Sequence, residues 1–396
     1  MRHGVLNGVA TILVVLTLVL ATGCGTGSGG TPPPASGEDV AVSPVATAYR
    51  QLLPNGEELW CARLPVEAEL GSLERISLGD GPDATGTRTA TLYLISAKQR
   101  VVAVGENGMT RWTFGRLDLP LEFPPAEGPT AVAFLTRDKL WLVDRQSGSL
   151  LNRKTLAFTP STPPALSRST VYLPSLGDNR IYSVAIADGA DGWRVRMNGP
   201  ISAAPAMAGN IGRPTLHVAT EKGTVLAFDA LAASAPPPEA PLWEKSLPGA
   251  VMADLSASAD GGIVFVPSHD YMLHAYRAAT GESVWNYPGG RPLETPATHV
   301  GDLVFQRNAD QLVALDFASG AVKWMVAGAK HAVCKWGDDY IVAGPGQKLR
   351  RIQGKDGAVL AEAERAEDFL VPDPIGGRFI VADRDWNLKV YRYRRY

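Results

Sequence analysis

Eight β-branched or aromatic runs recurring at a mean spacing of 41 residues, a glycine set four positions before a tryptophan in several repeats, and a turn-rich composition predict an all-β fold. The architecture they imply is an eight-bladed β-propeller of four-stranded antiparallel blades. The 396-residue chain holds 41 Gly and 30 Pro, too many breakers for a helical bundle, while 45% apolar and 20% charged residues make it too apolar for a disordered chain. Lys and Arg number 38 against 40 Asp and Glu, a formal net charge of −2, so no overall electrostatic attraction draws the protein to nucleic acid. With three cysteines, Cys24, Cys61 and Cys334, a disulfide framework does not carry the fold. A packed core must do so.

Taken in chain order, Arg2 and His3 precede an apolar or small run from Val9 to Leu20, the length of a signal-peptide core and short for a bilayer span. The run ends in Ala21-Thr22-Gly23-Cys24, which resembles the lipobox of bacterial lipoproteins, with Leu at 20 rather than 21 as a departure from the commonest order. The resemblance implies a signal peptide over 1–23, cleavage before Cys24, and acylation of Cys24 with palmitate-type chains. Residues 24–48 then read as a lipidated cysteine followed by a Gly/Ser/Thr/Pro-rich flexible tether. Several acyl chains hold a protein stably at a membrane where one is marginal.

Residues 49–396 read as a single domain. Its β-branched runs begin near Leu92, Val132, Val171, Leu216, Ile263, Leu303, Ile341 and Phe379. Each is followed past a polar turn by a second run, ending at Gly105, Asp144, Ala185, Asp229, Arg277, Asp316, Gln353 and Arg392, at separations of 39, 41, 44, 48, 39, 37 and 39. Next comes the glycine and its large side chain: Gly108 and Trp112, Gly189 and Trp193, Gly281 and Trp285, Gly320 and Trp324, with the Trp lost after Gly148 and Gly357. Glycine accepts the positive φ of a tight hairpin, and an even offset keeps each Trp on one face of its strand. Trp60, Trp112, Trp193, Trp243, Trp285 and Trp324 are therefore expected to dock one blade on its neighbour. Before Trp243 the turn is stretched by Ala230–Pro241, which reads as a Pro-rich loop. The chain stops just after the eighth second run, whereas Asn55-Gly56-Glu57-Glu58-Leu59-Trp60 repeats the glycine-to-Trp spacing at the other end. The N-terminal strand is thus expected to complete the C-terminal blade and remove both free sheet edges.

The strings GTVLAFDA (223–230), YMLHAYRAATGESVW (271–285) and DQLVALDFASGAVKW (310–324) are similar to the PQQ-like repeat, over about residues 50–396. A chain of this size with a lipobox further resembles the BamB-like propeller lipoproteins. That resemblance implies a non-catalytic scaffold that binds a partner through loops on one face of the ring, in assembly of outer-membrane β-barrels. No partner-binding motif of the family matches residue by residue. The repeat's name also invites a quinoprotein, with pyrroloquinoline quinone (PQQ) and Ca²⁺ in the channel. Those enzymes usually need a longer chain, and the best known have an adjacent cysteine pair, which this chain lacks. Cys61 is expected on an outermost strand and Cys334 near the channel.

Candidate chemistry is sparse. His217, His269, His274, His299 and His331, with Asp270, cluster in the middle blades, but their spacing matches no metal motif. His217 and His274 read as half-buried strand residues with one satisfied nitrogen. Asp144, Asp229 and Asp316 end strands where a carboxylate accepts backbone N–H bonds of the next turn, and Asp383, Arg384 and Asp385 beside Trp386 read as a solvated hairpin tip. No catalytic, cofactor-binding or metal residue is assigned. The reading is an exported, lipid-anchored, non-enzymatic scaffold for another envelope protein. It sits on the periplasmic side of an outer membrane if the host has one, and on the outer face of the cell membrane otherwise. The alternatives are a PQQ-dependent or other small-molecule-binding propeller and an extracellular ligand sensor.

Overall fold

The computed structural model describes residues 48–52, 58–63, 73–79, 91–96, 100–105, 110–115, 117, 119–210, 212–230, 238, 240–385 and 388–392. The signal segment, Cys24 and the tether up to residue 47 lie outside them, as do Trp386, most of the Pro-rich loop and the side chains of Trp60 and Cys61.

Eight antiparallel sheets follow one another along the described residues. Blade 1 runs through Leu73–Gly79, Thr91–Ser96, Arg100–Gly105 and Thr110–Phe114, and six more sheets repeat this order up to blade 7, made of His331–Trp336, Asp339–Ala343, Lys348–Ile352 and Val359–Glu364. First strands touch across most of the blade boundaries, blade 8 to blade 1 among them, so these strands surround the axis and each blade runs outward from it. Blade 3 differs. Its first strand is split into Thr159–Pro160 and Ala165–Leu166, both pairing with Thr170–Leu176, because Pro163 and Pro164 lack the N–H that a continuous ladder needs.

Blade 8 supplies Phe369–Asp373, Arg378–Ala382 and Leu388–Arg392 from the C-terminal end. Glu58–Arg63 lies antiparallel to Leu388–Arg392, with Trp60 opposite Arg392 and Cys61 opposite Tyr391. A further strand, Ala48–Leu52, pairs on the outside of Glu58–Arg63, so this sheet has five strands where four were expected.

The core lies between blades. The described apolar residues form eight clusters, each shared by two consecutive blades, and one of them joins Val371, Ile380 and Leu388 of blade 8 to Leu73, Val102 and Val104 of blade 1. Middle strands are covered by a neighbouring sheet on both sides, which explains unbroken runs such as Ala131–Leu135, buried at every position. Outermost strands have one covered face and alternate instead, as in Val322–Ala327, where only Trp324 and Val326 are buried.

The recurring glycine has a second duty besides its turn. Gly148, Gly281, Gly320 and Gly357 have φ between +68° and +76°, and a Cβ on any of them would come within 2.5–2.8 Å of an indole from the preceding blade: Trp112, Trp243, Trp285 and Trp324 in turn. Each of these indoles donates its Nε1–H to the carbonyl three residues before that glycine, on Arg145, Ala278, Phe317 and Gly354, at 2.8–3.0 Å. The ring lies flat on a turn without a side chain, and its one polar atom is satisfied by the same turn. In the blade 2 to blade 3 contact Asn152 stands where a Trp is lost, and its amide lies over Gly189. Blade 4 has no such glycine, and the equivalent carbonyl, of Ala230, accepts instead from the Tyr172 hydroxyl at 2.9 Å while Trp193 packs against Tyr172 and Phe228.

This geometry separates two glycines of nearly equal φ. A methyl added at Gly290 (φ +73°) would meet nothing within 4 Å, whereas one at Gly320 (φ +69°) would face Trp285 at 2.6 Å. In urea unfolding, Gly290→Ala is expected to cost about 1–2 kcal/mol, the left-handed backbone penalty alone. Gly320→Ala should cost about 2 kcal/mol more, because the methyl displaces a packed ring.

Candidate binding surfaces

Among the described residues, two concave features open on opposite ends of the ring. At the end where first strands turn into second strands, a funnel of about 990 Å³ is walled by seven of the eight blades, among them Gly79, Glu127, Ser167, Gly209, Asp260 and His299. Small residues and backbone make up much of this wall, so the blades approach closely. Gly209 N–H donates to the Gly261 carbonyl at 2.8 Å across the blade 4 to blade 5 boundary. The charged groups of the funnel are held by protein partners. Glu127 pairs with Arg145, both side chains nearly fully buried. Asp260 accepts from Ser258 Oγ at 2.5 Å and from Gly262 N–H at 3.0 Å, bonds that hold its carboxyl below the usual range.

At the opposite end, where second strands turn into third strands and each blade hands over to the next, large apolar side chains stand in solvent. Leu176, at the tip of its strand, is 66% exposed, and Tyr271 (52%), Met252 (46%) and Leu119 (41%) lie on loops of this end. Tyr271 occupies a left-handed turn, φ +73°, which an aromatic residue adopts only at a cost. The second concavity, a cleft of about 320 Å³, opens at this same end between blades 7 and 8 and reaches Ile76 of blade 1.

His217, His274 and His299 are each held by their own local partners. His274 is buried and bonded at both nitrogens, Nε2 to Asp270 Oδ2 at 2.9 Å and Nδ1 to Asn286 Oδ1 at 3.0 Å, so the expected half-burial and single bond are both corrected. His217 is fully buried; Nε2 meets Thr215 Oγ1 at 2.9 Å and the ring packs on Trp243. His299 Nδ1 accepts from Ala259 N–H at 3.1 Å, and its ring stacks on Phe317. Among the described residues, no three His, Cys, Asp or Glu side chains converge as a metal would require. Cys334 is a buried free thiol on the first strand of blade 7, its pKa pushed up by burial, and Cys61 sits on the fourth strand of blade 8. Asp144 accepts the N–H groups of Gln146 and Ser147, and Asp316 that of Ser319, which are turn contacts. The tip at Asp383–Asp385 is likewise closed on itself, Asp385 N–H donating to Asp383 Oδ1.

Burial moves the His217 pKa from 6.5 down to about 3. The native state therefore keeps this ring neutral between those values while the unfolded chain protonates it, so the unfolded state binds more protons and stability rises with pH across that window. Replacing His217 with Gln should remove up to about 1.4 kcal/mol per pH unit of that dependence. The check is urea unfolding of both proteins from pH 4 to pH 7, where the wild type should lose more stability on acidification than His217→Gln.

A family model described as "Outer membrane protein assembly factor BamB" matches residues 137–235 and 230–371, well over half of the chain. A curated relative of that name from Nitrosomonas eutropha (strain DSM 101675 / C91 / Nm57) is 30% identical over 176 residues, which is 40% of this chain and 40% of the relative's own length. The crystal structure of BamB from Moraxella catarrhalis superposes with a TM-score of 0.59 at 16% identity, covering 81% of this chain and 99% of that one. The computationally designed Ika8 protein does so with a TM-score of 0.56 at 12% identity, covering 83% and 98%. The two structures share the fold; the family match, lying on blades 2 to 8, is what places the sequence. The chain belongs to the BamB family of outer membrane protein assembly factors.

Proposed function

We propose that this protein is an exported, lipid-anchored, non-catalytic platform that binds another envelope protein during assembly of outer-membrane proteins. The observation that carries the reading is the loop end bearing Leu119, Leu176, Met252 and Tyr271, large apolar side chains held in solvent by rigid blades within a chain of this family. Side chains of this kind, fixed in place before binding, gain affinity on burial with little loss of ordering entropy. Anchorage is proposed through Cys24, with residues 25–48 as the tether that lets the ring reach its partner, and closure of the ring through Glu58–Arg63 on the last blade. The funnel at the other end offers bonded carboxylates and backbone and no converging donor set for Ca²⁺ among the described residues, which does not fit a quinone–calcium site.

The test is site-specific photo-crosslinking in the native host. A crosslinking residue at Leu176 or Tyr271 should capture a discrete envelope partner, identified by mass spectrometry, while one at Lys355, on the funnel end, should not. Capture from Lys355 alone would move the binding face to the other end. Purified protein titrated with PQQ and Ca²⁺ should give no saturable change in absorbance.

A further inference from the structure

The cleft between blades 7 and 8 is lined by Lys330, Lys348, Arg365 and His331 against a single carboxylate, Asp368. Lys330 and His331 enter it at the start of the first strand of blade 7, Lys348 from the hairpin between that blade's second and third strands, and Arg365 from the passage into blade 8. Lys348 is paired with Glu362 at 2.7 Å, which also takes Arg350 at 2.6 Å. Glu367, the nearest buried carboxylate along the chain, is engaged by Lys389 at 2.9 Å. Lys330 and Arg365 have no carboxylate within ion-pair distance among the described residues; the Arg365 guanidinium donates to the Glu367 carbonyl, and the Glu367 and Asp368 carboxylates reach it only by longer-range attraction. Asp368 at the rim is the one acidic lining residue, and it stands 3.9 Å from Arg384. Cations therefore exceed anions in a confined space. His331 registers the imbalance: burial, then Lys330, Arg365 and Arg307, hold its pKa down. The remaining wall is apolar, from Ile76, Phe369, Leu370 and Val371.

We propose that this cleft receives the side-chain carboxylates of an acidic peptide segment, with Lys330 and Arg365 as the direct counter-charges. The inference rests on the loop end being the binding face and goes beyond it by naming the chemistry bound there. A carboxylate brought between Lys330 and Arg365 makes charge-assisted hydrogen bonds that no protein group now supplies, and the apolar wall covers the methylenes or a neighbouring aliphatic side chain of the same segment. A peptide fits better than a lipid surface, because Ile76 and the buried Val371 place the floor below the flanking hairpins, where an extended side chain reaches and a flat headgroup layer does not.

The experiment uses the purified full-length chain and a fluorescein-labelled peptide of three Glu-Leu repeats, read by fluorescence anisotropy, with a Lys-Leu counterpart and phosphatidylglycerol vesicles as the other arms. The expected result is saturable binding of the Glu-Leu peptide only, weakening as salt rises. Lys330→Glu should reduce affinity at least about tenfold, in keeping with one lost charge-assisted hydrogen bond. Lys355→Glu, an exposed turn of the same blade on the funnel end, should leave it unchanged. Because Lys330 is exposed and its side chain makes no hydrogen bond or ion pair to a described residue, Lys330→Glu should keep the wild-type melting temperature; Arg365→Gln serves as the second variant, with the same expected loss of affinity. Absence of saturable peptide binding, equal binding of the Lys-Leu peptide, binding of vesicles alone, or indifference to both cleft variants would each overturn the proposal. Those outcomes leave the crosslinks at Leu176 and Tyr271 untouched, so failure of the cleft and failure of the platform reading are distinguishable.

Discussion

An indole lying on a bare glycine turn, with its N–H donated into the same turn, is the contact on which the ring depends. It ties the outermost strand of one blade to the outer hairpin of the next, at Trp112 on Gly148, Trp243 on Gly281, Trp285 on Gly320 and Trp324 on Gly357. Truncating a buried aromatic of this size typically costs about 3–5 kcal/mol. The inner part of each interface is apolar and without direction; the indole contact is directional, and it fixes how one blade is rotated against the next. A blade alone would expose both faces of its middle strands, so stability belongs to neighbouring pairs rather than to single sheets.

That arrangement decides what a reader of the sequence can see. The outer strand's alternation and the glycine four residues before most of the docking Trp residues are local, and they mark the repeat plainly. The glycine's actual partner is the Trp of the previous blade, a relation across some 35 positions that no local pattern displays. Substitutions obscure it further: Asn152 replaces a Trp and still covers Gly189, and Tyr172 takes the carbonyl of a blade whose turn has lost its glycine. The split first strand of blade 3 follows from Pro163 and Pro164, which are in plain view but whose effect depends on which strand they interrupt. The burial of His217 and His274 is hidden for a related reason, because strand position alone does not tell how completely a neighbouring sheet covers a side chain.

The candidate surfaces are less legible than the fold for the same physical reason. Leu119, Leu176, Met252 and Tyr271 are unremarkable singly, and only the closure of the blades gathers them at one end. Ile76, Lys330 and Arg365 come from three different parts of the ring, so their excess of positive charge exists only in the folded protein. Overall charge balance, which sets aside nucleic acid, conceals a local imbalance of this kind. Rigid blades bring these loops together at little entropic cost, and the same rigidity would serve a protein whose task is to hold another in position.

A double-mutant cycle between Trp285 and Gly320 tests the account most directly. If the indole rests on that turn, the methyl of Gly320→Ala is costly because the ring is there. Trp285→Leu should then relieve part of the cost, so that the double variant is more stable than the sum of the single losses by at least about 1 kcal/mol. Additive losses, equal within about 0.3–0.5 kcal/mol, would show that the two residues do not meet and would contradict the inter-blade lock.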